Sequence, residues 1–157
     1  MADYIIAFRK WETDLFERPV HGPSREIRFT EYIGEEPPME VRSDRDMSIQ
    51  VWQRYASPVW FDIRQQRVLQ GHRNAIDEND ERHICPLQLD VCERCIHLWT
   101  NPGDIVLDPF SGIGSVVYSA VNMGRYGIGI ELKQSYWKQS IKNLITLEAE
   151  KNQAVLL

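Results

Sequence analysis

IVLDPFSGIGSVVYSAVNMGRYGIGIE, residues 105–131, is the stretch whose reading decides the fold. Ile105-Val106-Leu107 is a short apolar run that reads as a buried strand running into Asp108. Pro109 to Gly114 reads as a loop, because its two glycines let the backbone turn tightly and approach a ligand closely. A helix is predicted over roughly Ser115–Met123, with Gly124 as its left-handed cap. Tyr126 to Ile130 reads as a second strand that ends at Glu131. Strand, helix and strand in this order predict a parallel βαβ unit and an α/β fold class.

Working outward, Asn101-Pro102-Gly103-Asp104 reads as the turn into the first strand. Upstream of it, Pro86 is suited to the first turn of a helix. Leu87, Leu89, Val91, Cys92, Cys95, Ile96, Leu98 and Trp99 give that helix a broad apolar face. A last helix is predicted from about Gln134 to Ala149, with Trp137, Ile141, Leu144 and Ile145 on one face. The amino-terminal part has a different texture. Tyr4 to Phe8 reads as one strand. The stretch 17–47 carries Pro19, Pro23, Pro37 and Pro38 and reads as a long loop or linker. Residues 48–62 are rich in aromatics that can pack on a neighbour, and 71–82 read as a solvated loop. The expected division is 1–82, then a βαβ unit over 83–157.

The chain has 157 residues, of which 43% are hydrophobic and 26% charged, enough for one domain with a real core. No apolar run reaches the ~20 residues of a membrane span. The start, MADYIIAFRK, lacks the features of a signal peptide, so the cytoplasm is expected. A net charge of −5 argues against non-specific coating of nucleic acid. A local basic cleft is compatible with it. Arg9, Arg18, Arg25, Arg28, Arg42, Arg45, Arg54, Arg64, Arg67 and Arg73 place any DNA contact in residues 1–75.

The loop narrows the ligand. Asp108 falls at the carboxyl end of a parallel strand, the usual ligand crevice, and its carboxylate can pair with an ammonium. Glu131, at the end of the next strand, is suited to holding two ribose hydroxyls. A dinucleotide fingerprint would need a third glycine where Val117 stands, and no Gly-Lys-Ser/Thr phosphate loop is present. S-adenosylmethionine, with an ammonium, a ribose and no phosphate, matches these features.

Residues 83–146 also resemble the adenine-N6/cytosine-N4 DNA methyltransferases of the permuted, β-type order, many of them from phages and prophages. Pro86 and Leu87 match the family's P-L-x-L helix start, which helps cradle the methionine end of the cofactor. Asp108, Phe110, Gly112 and Gly114 match its cofactor loop. Glu131 matches its ribose-binding acid, and Tyr136 its aromatic continuation. Residues 4–10, YIIAFRK, resemble the last strand of its catalytic half. The resemblance implies a partial Rossmann-like fold, an incomplete parallel sheet with flanking helices. It implies S-adenosylmethionine as cofactor and double-stranded DNA with a flipped target base as substrate. The expected cofactor residues are Cys85, Pro86, Leu87, Asp108, Pro109, Phe110, Ser111, Gly112, Gly114 and Glu131.

The chain departs from the family at one point. The catalytic Ser/Asp/Asn-Pro-Pro-Tyr/Phe/Trp motif, whose aromatic stacks on the flipped base, is absent from these residues. Ser57-Pro58-Val59-Trp60 is the nearest approach, and it lacks the second proline. The chain therefore reads as truncated at its amino end, with 1–82 holding a remnant of the catalytic half. A second chain is expected to supply the missing half; a homodimer is the alternative assembly. No catalytic residue and no metal ligand is assigned. Two alternatives stand beside this reading. One is an inactive remnant that binds cofactor or a partner chain. The other is a zinc-stabilised DNA-binding module built on His83, Cys85, Cys92, Cys95 and His97. Against zinc, Cys92 and Cys95 fall on the apolar helix face with Leu89, Ile96 and Trp99.

Overall fold

The computed structural model describes residues 5–7, 29–35, 40–75 and 86–154. Helix α1 spans Asp44–Tyr55, α2 His72–Ala75, α3 Leu89–Trp99, α4 Ser115–Asn122 and α5 Gln134–Ala154. Strands β1 (Ile105–Asp108) and β2 (Tyr126–Gly129) form a parallel pair, with Ile105 opposite Tyr126 and Asp108 opposite Gly129. Helix α4 is the crossover between them, so the βαβ unit stands as expected.

Local chemistry sets the ends of these elements. Asn101 and Asp104 close the turn before β1, and Gly103 there has a φ of +83°. Helix α4 ends in a paired-carbonyl cap: Gly124 N–H donates to the Val121 carbonyl and Arg125 N–H to that of Ala120. Gly124, at φ +75°, supplies the left-handed step this closure needs.

The sheet has two unlike faces. Val106, Asp108, Gly127 and Gly129 share the face toward α4. A side chain at Gly127 would put its Cβ 2.8 Å from Val117 Cγ1, so glycine is what lets the helix lie this close. The opposite face carries Ile105, Leu107, Tyr126 and Ile128, exposed by 66, 59, 68 and 50%. The expectation of a buried β1 therefore does not hold among the described residues, since helices cover only one face. Among the described residues the sheet has two strands. Ile5–Ala7 are unpaired and exposed rather than part of a strand, while Tyr4 and Phe8 lie outside the described residues.

Three helices differ from expectation. The third, α3, starts at Leu89 rather than Pro86. Gln88, with extended backbone, precedes it, and the Leu89 N–H finds its acceptor in the Arg67 carbonyl, 2.8 Å away. Trp99 is exposed at its end, while Leu89, Cys92 and Ile96 are buried. The inward face of α5 is Ser140 and Leu147, because the helix lies on α4 with Ser140 against Gly114. Trp137, Ile141 and Ile145 are exposed and Leu144 half-buried. Helix α1 begins inside the stretch expected to be loop. Ser43 Oγ caps it by accepting from Asp46 N–H, and Asp44 and Asp46 in its first turn and Arg54 in its last suit the helix dipole.

Segments 29–35 and 40–75 pack on α3 through two apolar clusters and buried charges. Phe29, Ile33, Val51 and Tyr55 form the first cluster, with Leu98 and Met123 against it. The Arg94 guanidinium is buried beneath it. Its Nε donates to the Ile33 carbonyl at 2.7 Å and its Nη2 pairs with Asp62 at 2.6 Å. The faces of Tyr32, Tyr55 and Trp60 surround it at 5.1 to 5.4 Å. Tyr32 also donates a hydrogen bond to Asp62. A second cluster joins Leu69 and Ala75 to Leu89 and Ile113, so both clusters draw on residues from either side of position 82.

Candidate cofactor pocket

Asp108 ends β1, and the chain then breaks away from the sheet. The Asp108 carboxylate accepts from Phe110 N–H at 3.0 Å, which shapes the first turn of the loop. Ser111 N–H donates to the Ile130 carbonyl, so the loop stays tied to the chain leaving β2. Gly112 (φ +52°) and Gly114 (φ +92°) both take left-handed backbone, the conformation for which glycine was expected here. Gly114 is the residue before α4 and Ser115 its first.

Glu131, expected at the end of the strand, lies two residues beyond the end of β2. Its two carboxylate oxygens accept separately from Gly112 N–H at 2.8 Å and Lys133 N–H at 2.7 Å. The acid thus clips the loop to the exit of β2, through one lone pair on each oxygen.

A cavity of about 340 Å³ lies at this end of the sheet, within the usual small-molecule range. Among the described residues it is lined by Pro86, Leu87, Asp108, Phe110, Ser111, Gly112, Ile113, Ser115, Val116 and Tyr136. Pro86, Leu87, Asp108, Phe110, Ser111 and Gly112 of the expected set thus come together around one space. Pro109, Gly114 and Glu131 frame the loop and do not line the cavity. Cys85 lies outside the described residues. Ile113, Ser115, Val116 and Tyr136 lay outside the expected set, Tyr136 having been marked only by the family resemblance. The position of Ile113 in the loop, and of Ser115 and Val116 in the first turn of α4, was the available clue.

Among the described residues the lining has one carboxylate, two aromatic rings and no cationic side chain. A phosphate would find no counter-charge among these lining side chains, whereas a cationic ligand would meet Asp108 and the Phe110 ring; the Tyr136 ring has Lys133 Nζ over it at 4.5 Å. The first turn of α4 adds the positive end of a helix dipole, suited to a carboxylate. The ligand these features fit together is zwitterionic.

The remaining candidates fall elsewhere. Ser57–Trp60 form a turn in which Ser57 Oγ donates to the Val59 carbonyl and Trp60 Nε1 to that of Tyr55. The Trp60 ring is taken up by Arg94. Cys92 is buried, and burial pushes its thiol up to about 12 and that of Cys95 to about 11. His97 packs edge-on against Phe29 and Tyr55, and burial, with Arg125 nearby, pulls it down to about 4. His83 lies outside the described residues. Two of the arginines expected at a DNA surface, Arg64 and Arg67, are instead paired with Asp90 and Glu93, because those acids are buried in α3. No described helix is long and apolar enough to cross a membrane.

Comparison with known proteins decides the family. The DNA methylase model for N6/N4 methyltransferases matches residues 1–142. The chain belongs to this DNA methylase family. It is 41% identical over 66 residues to the type II methyltransferase M.BglII of Bacillus subtilis, covering 41% of this chain and 18% of that protein. It is 30% identical over 122 residues to M.BglI of Bacillus subtilis, covering 77% of this chain and 32% of that one. A solved putative DNA modification methylase of Thermus thermophilus, complexed with S-adenosyl-L-methionine, aligns at 25% identity and a TM-score of 0.46. That match covers 61% of this chain and 31% of the other. The chain thus spans a third or less of the length of these relatives.

Proposed function

We propose that this member of the family carries the S-adenosylmethionine-binding part of a DNA amino-methyltransferase acting on an exocyclic amine of adenine or cytosine. The observation that carries the reading is the lining of the pocket among the described residues: one carboxylate and two rings, without a cationic lining side chain, beside the first turn of α4. Asp108 pairs with the ligand ammonium, and the α4 amide end receives its carboxylate. Glu131 takes the ribose hydroxyls on the lone pairs that Gly112 and Lys133 leave unused. Pro86 and Leu87 close the methionine end, and Cys85 and Pro109 complete the set. Bound there, the sulfonium would supply a methyl group for direct in-line displacement by an amine, with no covalent enzyme intermediate. What these residues do is hold it in line and keep water away.

The Ser/Asp/Asn-Pro-Pro-Tyr/Phe/Trp motif is absent from these residues, so holding the flipped base of double-stranded DNA is assigned to residues outside this sequence. The sheet face left open among the described residues is the surface offered to them. The cytoplasm is the compartment this reading implies. The same absence favours a second reading, a chain that binds cofactor or a partner and transfers nothing.

Calorimetric titration with S-adenosylmethionine, on the wild type and Asp108→Ala, tests the proposal. Binding by the wild type alone supports the cofactor site. Binding by neither leaves the second reading, in its partner-binding form.

A further inference from the structure

One wall of the pocket, Pro86 and Leu87, is held by residues outside the βαβ unit. Two residues beyond Leu87, the Leu89 N–H donates to the Arg67 carbonyl. The next residue, Asp90, is fully buried. Its Oδ2 accepts from the Arg64 backbone N–H and Nε, both at 2.9 Å. Its Oδ1 accepts from Arg64 Nη2 at 2.6 Å and Arg67 Nη1 at 2.7 Å. Arg67 also spans Glu93, with Nη1 at 2.5 Å and Nη2 at 2.9 Å. Burial alone would raise the Asp90 carboxyl, but the hydrogen bonds from Arg64 and Arg67 outweigh it and hold it near 2.

We infer that Arg67, assisted by Arg64, is a positioning residue for the cofactor. Its fork fixes where α3 begins, and so how far the Pro86–Leu87 wall stands from the loop at Asp108–Gly112. The inference rests on reading the pocket as the S-adenosylmethionine site. Buried ion pairs add little net stability compared with apolar packing, but they are directional. One nitrogen shared between two carboxylates, with a second reaching further along Glu93, sets both the rotation and the height of the first turns of α3. A lysine carries the same charge and lacks that planar fork. The strip also meets the pocket a second time, where Leu69 and Ala75 pack with Ile113 of the lining.

The test is calorimetric titration of S-adenosylmethionine into the full chain, with melting followed in parallel, for the wild type, Asp108→Ala, Arg67→Lys and Ser43→Ala. Arg67→Lys is expected to raise Kd between about ten- and a hundredfold, the scale on which a misplaced wall acts. Ser43→Ala lowers melting without touching the wall and is expected to keep the wild-type Kd. That contrast separates positioning from general stability. If Arg67→Lys does not fold, Arg64→Lys, at a more exposed side chain, is read in its place. Wild-type binding lost in Asp108→Ala but unchanged in the arginine variant would overturn the inference and leave the cofactor reading standing. Absence of wild-type binding would overturn both.

Discussion

The βαβ unit and the segments at 29–35 and 40–75 are held together in opposite ways. In β1–α4–β2 the helix lies close because two positions of β2 are glycine, and the polar groups are gathered in a loop at one end of the sheet. Upstream, irregular chain is fastened to α3 by buried charges, with Arg94 and Asp90 fully enclosed. Close packing leaves the end of the sheet free for a ligand. Buried ion pairs leave little freedom but fix register, which suits a region whose task is to set a wall.

The largest expected effect lies in the upstream region. Asp62→Ala strands the Arg94 guanidinium, whose side chain is 1% exposed, and should cost about 3–5 kcal/mol in urea unfolding. A loss under about 1 kcal/mol would mean that the aromatic cage alone suffices for Arg94, and the contrast would weaken.

His97 gives a pH-dependent form of the same contrast. Its ordinary value is 6.5 and in the fold it lies near 4, so the buried ring is neutral where the unfolded chain is protonated. Stability should fall as pH drops from 6.5 to about 4, by on the order of 3 kcal/mol, and this contribution should level off below that. His97→Phe, which keeps a ring against Phe29 and Tyr55, should flatten that slope in unfolding curves taken across the range. An unchanged slope would assign it to other groups.

In the βαβ unit the decisive quantity is space. Gly127→Ala drives a methyl into Val117 and should cost about 1–3 kcal/mol. Thermal melting at or above the wild-type value would show that α4 can back away from the sheet. The smallest effect is expected at the edge of the upstream region. Ser43→Ala removes the cap of α1 and should cost about 1 kcal/mol, read from the denaturation midpoint.

The same division explains what could be read in the sequence. The order β1, α4, β2 and the gathering of Asp108, Phe110, Ser111 and Gly112 follow from local signals: a short apolar run, a glycine pair, a left-handed cap. They depend on near neighbours and are therefore legible. The upstream region depends on pairs 23 to 62 positions apart, such as Arg67 with Asp90 and Arg94 with Tyr32. No periodicity marks such pairs, and Asp90, Glu93 and Arg94, outside the expected apolar face, belong to a helix that is buried almost all round. Trp137, Ile141 and Ile145 show the converse. An apolar stripe gives a helix its face but not the partner that covers it.

The central claim, that a cofactor pocket is built at the carboxyl end of β1 and β2, is tested most directly by amide chemical-shift mapping during titration with S-adenosylmethionine. The account predicts saturable shifts centred on Leu87, Asp108 to Val116, Glu131 and Tyr136, with little change in α1. Shifts confined to other surfaces, or none at saturating ligand, would contradict it.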